Sequence, residues 1–189
     1  MILDETHPLE EVMVWGEPGI EALLGQLLPQ SRSLFRSYYE VPKARGEFAC
    51  MSSLIESEGI KVTRAKDAVA DLLKTREIPE LPGSIQDLKR ILHQKADSTF
   101  EHYRLAKQSD LIRDGITNIS PIDVYNAVKR DIDVVLEEDI AQYGEQGALR
   151  LNYLLSLSKP WPMANIFYGR DQSQALTDRI ILSSLRWNI

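Results

Sequence analysis

The stretch Pro162-Met163-Ala164-Asn165-Ile166-Phe167-Tyr168-Gly169-Arg170-Asp171 is followed by a second apolar run, Arg179-Ile180-Ile181-Leu182. Both runs are aromatic or β-branched, and turn-forming residues lie between them, so the pattern predicts two antiparallel strands. The first run ends in an Arg-Asp pair directly after bulky apolar residues. A carboxylate at the mouth of a buried strand suits a cation with a planar fork of donors, because paired charge-assisted hydrogen bonds offset its desolvation. The structural alternative is an ion pair of Asp171 with Arg170 or Arg179.

Outward from this stretch, the preceding half of the chain reads as helix. Ile78-Pro79-Glu80-Leu81-Pro82-Gly83 has the composition of a linker. Ser84 then caps a long helix, with Asp87 at its third position. Ile85, Leu88, Leu92, Ala96, Phe100 and Tyr103 make its apolar stripe. Ser109–Gly115 reads as a further short helix. Ser120-Pro121 opens another helix that runs to about Tyr143, striped by Tyr125, Val128, Ile132, Val135, Leu136 and Ile140. A last one spans Glu145–Leu157.

The opening of the chain has a different rhythm. Leu9–Gly16 reads as a strand whose Val12-Met13-Val14-Trp15 run suggests cover on both faces. Glu21–Leu28 is a short helix. A helix from Pro42 to Glu58 follows, with Ala44, Phe48, Met51, Leu54 and Ile55 at helical spacing. Ile60–Arg64 is a second strand and Asp67–Lys74 a helix. Strand, helix, strand in that order predicts a parallel pair.

Asn165-Ile166-Phe167-Tyr168-Gly169-Arg170-Asp171 resembles the Asn-Leu-Tyr-Phe-Thr-Arg-Asp signature of the arginine deiminases, guanidine-modifying enzymes of the pentein superfamily. Gly169 in place of threonine is the departure. Pro8-Leu9-Glu10-Glu11-Val12-Met13-Val14, Pro18-Gly19, Leu34-Phe35 and Glu58-Gly59-Ile60-Lys61-Val62 are similar to the first module of that family. There the residues after Leu-Phe are usually aspartates, whereas here they are Arg36 and Ser37.

The resemblance implies an α/β fold that is a partial pentein, or α/β propeller. Residues 1–76 would be its first module, 77–160 an inserted α-helical bundle, and 161–189 the truncated first strands of the second module. It implies action on a guanidino substrate such as L-arginine, giving citrulline and ammonia without a cofactor, or amidino transfer. Asp171 would be a catalytic, guanidinium-binding acid. Tyr168 would pack on the guanidinium plane, Asn165 would help hold the α-carboxylate, and Arg170 would be a structural neighbour of the site.

Other residues set limits on that chemistry. A deiminase requires a thiolate nucleophile and a histidine to shuttle protons. Cys50 is the only cysteine, and with no histidine beside it in sequence it reads as a buried structural thiol. His7, His93 and His102 read as solvated or capping groups, and no metal spacing is present. The chain is therefore expected to be inactive alone. The reading from another class is a non-catalytic binding or assembly module.

A net charge of −6 argues against nucleic acid or an anionic membrane as partner. No signal segment is visible, so a cytoplasmic location is expected. An uncovered hairpin over residues 162–189 would favour self-association.

Overall fold

The computed structural model describes residues 9–33, 38–116, 118–159, 162–163, 173–175 and 180–182. Among them are five helices and two small sheets, so the fold is mostly helical and α/β only in a loose sense. β1 (Glu11–Val14) is followed by α1 (Ile20–Gly25), α2 (Val41–Ser57), β2 (Lys61–Arg64) and α3 (Ala65–Leu73). Then come α4 (Ile85–Arg113), α5 (Pro121–Ser156), β3 (Ser173–Ala175) and β4 (Ile180–Leu182).

The helical half follows its local signals. Ser84 Oγ accepts from the Asp87 amide at 3.1 Å, so the expected cap forms. Ser120 and Asp123 exchange reciprocal bonds in a capping box that opens α5. α4 and α5 run antiparallel, as the facing pairs His93–Asp133 and Phe100–Tyr125 require. Leu88, Leu92 and Ala96 of α4 are fully buried against Val128, Ile132 and Val135 of α5. The same core takes in Ile20, Leu23 and Leu24 of α1 and Val41 of α2, so both halves of the chain share it. Residues 109–113 do not form a separate helix, because α4 continues without interruption to Arg113.

The expected interruption between Tyr143 and Glu145 is present. Gly144 has φ 72° and ψ 165° inside an otherwise continuous α5. We call the segments before and after it α5a (121–143) and α5b (145–156). An added Cβ at Gly144 would meet nothing within 4 Å, so the glycine answers to backbone conformation alone.

The strand–helix–strand expectation also holds. β1 and β2 pair in parallel, with Glu11 opposite Lys61 and Val14 opposite Arg64. The expectation that both faces are covered does not, for Met13 is 71% exposed. With only two strands, Met13 shares its face with Glu11, Lys61 and Thr63, and Glu11 bonds to both Lys61 and Thr63 there.

The apolar face expected on α2 is turned outward only in part, since Ala44, Phe48 and Ile55 are half-buried. Leu54 is 69% and Met51 43% exposed, while Val41, Arg45 and Ser52 are buried. The physical reason is an ion pair. The Arg45 guanidinium reaches the wholly buried Asp139 on α5a, and that contact sets the rotation of the helix.

The C-terminal pairing is antiparallel as expected, but between other residues. β4 pairs with β3, Ser173 opposite Leu182 and Ala175 opposite Ile180. The strand expected at 165–170 lies outside the described residues. Pairing with residues nearer in sequence closes a shorter loop at a smaller entropy cost. Among the described residues no helix is long and apolar enough to cross a membrane.

Candidate functional site

The residues that the deiminase resemblance singles out, Asn165, Tyr168, Arg170 and Asp171, all lie outside the described residues, as do Leu34–Ser37. The described polar chemistry is gathered elsewhere, along the seam between the β1–α2–β2 unit and the bundle.

Arg45 is its centre. The guanidinium donates from Nη1 to the Pro18 carbonyl at 3.0 Å and from Nη2 to Asp139 Oδ1 at 3.0 Å. Its Nε lies 2.6 Å from Glu138 Oε2. The other oxygen of Asp139 accepts from Asn152 Nδ2 at 2.9 Å, and that amide also donates to the Ala148 carbonyl at 3.1 Å. A carboxylate with no solvent exposure is thus held from both sides, the arrangement a buried charge needs.

Beside it, the turn after β1 encloses a lysine. Lys66 is 1% exposed, and its ammonium donates to the Glu17 carbonyl at 3.2 Å. The fully buried Glu21 accepts from the Gly19 amide at 3.1 Å. An added Cβ at Gly19 would collide with the Glu21 carboxylate and stand 2.8 Å from Lys66 Nζ, so glycine alone lets these charges approach the loop.

A cleft of about 240 Å³ opens at the helix break, lined by Asp67, Asp71, Lys74, Gln142, Tyr143 and Gly147. Tyr143 Oη donates to Asp67 Oδ1 at 2.9 Å and Lys74 pairs with Asp71 at 2.7 Å. Burial, and next the Asp67 carboxylate, push the Tyr143 hydroxyl well above the usual phenol range. It therefore stays protonated and acts as a donor.

A broader hollow of about 620 Å³ lies between Pro29–Arg32 and α4. Behind it Lys107 is 3% exposed and donates to the Leu28 carbonyl at 3.3 Å. Burial lowers its ammonium below the ordinary lysine range, and nearby Asp110 and Asp114 oppose that shift.

Cys50 is exposed on α2, which corrects the reading of a buried structural thiol. The helix rotation that buries Arg45 carries it outward. His93 is neither free nor a cap, since its Nε2 lies 2.9 Å from Asp133 Oδ1, across the α4–α5 seam. His102 stands edge-on to Tyr103. Among the described residues no group of three or more His, Cys, Asp or Glu side chains could hold a metal ion.

Sequence reasoning missed Arg45, Lys66, Lys107 and Asp139. A charged residue at a helical position normally marks the solvent side, and their partners lie far away in sequence, 94 residues for Arg45 and Asp139. Comparison with protein families, with curated proteins and with solved structures finds no match to this chain.

Proposed function

We propose that the chain forms the N-terminal part of an arginine deiminase-like enzyme. In this reading it supplies a guanidinium-binding carboxylate, Asp171, together with Asn165 and Tyr168, and leaves attack on the guanidinium carbon to residues outside it. The order of elements is the observation that supports this reading. A parallel β1–α2–β2 unit is followed by a helical body and then by an antiparallel strand pair, which joins 173–175 to 180–182 rather than the expected stretch at 165–170. The substrate class is a small guanidino compound, and the reaction of the complete enzyme is hydrolysis to the ureido product or amidino transfer.

A second reading, a non-catalytic assembly module, is favoured by Met13 and Leu54, which stand uncovered beside the parallel strands. Calorimetric titration separates the two. The first reading expects L-arginine to bind at one site without citrulline release, and Asp171→Asn to weaken binding by roughly 10- to 100-fold, the worth of a charge-assisted hydrogen bond. Absence of arginine binding, or binding indifferent to Asp171→Asn, removes it and leaves the assembly module.

A further inference from the structure

We propose that the hollow between the Pro29–Ser33 turn and α4 is a binding site for a small organic oxyanion, a molecule that carries a phosphate or carboxylate group. One wall is a single face of α4, because Tyr103, Ala106, Asp110 and Arg113 recur there at helical spacing. The other wall is the turn itself, where the amides of Arg32 and Ser33 donate to the Pro29 carbonyl at 2.8 and 3.1 Å. α4 pins that turn through several contacts. The Gln30 amide donates to Asp110 Oδ2 at 2.6 Å, Lys107 Nζ donates to the Leu28 carbonyl at 3.3 Å, and Arg113 donates to the Gln30 side chain. Both walls are therefore set before a ligand arrives. The volume, about 620 Å³, falls in the range of small-molecule pockets, roughly 300–1,000 Å³.

The hydrogen-bonding inventory of the lining selects the ligand. Asp110 is the one acid in it, and both of its oxygens are engaged, Oδ2 by the Gln30 amide and Oδ1 by Arg113 Nη2 at 3.0 Å. Asp114, beside the hollow, pairs with Arg113 Nε at 3.3 Å. Donors are left over. Among the described residues the contacts of Arg113 run through Nε and Nη2, which leaves Nη1 spare, and the hydroxyls of Ser31 and Ser109 make no hydrogen bond. Arg32 adds a second guanidinium to the lining and Lys107 stands behind it, so three basic side chains face two acids whose charge is already paired. A lining with unspent donors and no unspent carboxylate suits an oxyanion. Tyr103, Pro29 and Ala106 offer the rest of the molecule an apolar surface.

Amide NMR of the isotope-labelled chain, titrated with phenyl phosphate, benzoate and phenol, tests this. Phenyl phosphate should give saturable shifts at the amides of 30–32 and 103–113, and phenol, which lacks the oxyanion, should give none. Benzoate separates the two forms of the anion. Matching shifts mean that a carboxylate suffices, and their absence assigns the site to phosphates. Ser109→Asp, at an exposed position, sets a new carboxylate in the hollow and should weaken phenyl phosphate binding by about tenfold or more while leaving the melting temperature unchanged. If that variant does not fold, Ser31→Asp on the opposite wall carries the same expectation. Lack of saturable shifts with phenyl phosphate, equal shifts with phenol, or binding unweakened in a folded aspartate variant each overturns the site.

Discussion

The bundle and the β1–α2–β2 unit are built from the same chain but satisfy their apolar residues differently. In the bundle, Leu88, Leu92, Val128, Ile132 and Val135 interlock with no solvent exposure. In the parallel unit, Met13, Met51 and Leu54 stand open to solvent, and the residue that anchors α2 is a cation, Arg45. Two parallel strands cannot cover both of their faces, whereas two long helices need only one stripe each. The bundle is therefore closed by helix packing, with α1 and Val41 of α2 sharing its core, whereas the strand pair is held in place by what it touches.

Core truncation is the sharpest way to break that contrast. Ile132→Ala should cost about 2–5 kcal/mol, since it deletes buried methyl groups from a filled core. Leu54→Ser should change stability by less than about 0.5 kcal/mol, because the side chain is already in water. Denaturant titration of both variants checks this, and a Leu54→Ser loss equal to that of Ile132→Ala would mean that α2 is covered in solution.

The helix caps come next in size. Ser84→Ala should cost about 1 kcal/mol by leaving the Asp87 amide of α4 without its acceptor, and thermal unfolding reads this directly.

Those caps show what was legible in the sequence. Ser84, Ser120 and the break at Gly144 are local signals, acting over a few residues, and each appears in the structure where its residue type predicts. The parallel pairing of β1 and β2 was legible too, because it follows from the order of elements and the handedness of their connection. The rotation of α2 was not. Its apolar spacing includes Met51 and Leu54, which stand exposed, while a long-range ion pair turns Arg45 inward. The depth of Lys66 was equally hidden, since it depends on the absence of a side chain at Gly19, 47 positions earlier. The candidate guanidinium-binding residues rest on a motif whose positions lie outside the described residues.

The smallest expected effect concerns pH. Asp133 bridges Lys89 and His93 between the two long helices. Burial alone would raise its carboxyl, but the hydrogen bonds from His93 and Lys89 outweigh that and leave it below the ordinary aspartate range. A lowered folded value contributes stability above the unfolded value of about 3.9 and loses it as pH falls through the folded one. Asp133→Asn should therefore reduce stability at neutral pH by less than about 1 kcal/mol, as befits a partly exposed pair. The gap from the parent chain should close as pH drops below 4, and acid titration of both proteins would reveal it.

Native-state amide exchange tests the contrast between the two regions most directly. Interior amides of α4 and α5a should exchange only through global unfolding. The amides of the β1–β2 ladder, including Lys61 N, which donates to the Glu10 carbonyl at 2.9 Å, should exchange at least tenfold faster through a separate opening. Ladder amides as protected as those of α4 would contradict the account, and would place the parallel unit inside the same cooperative core as the bundle.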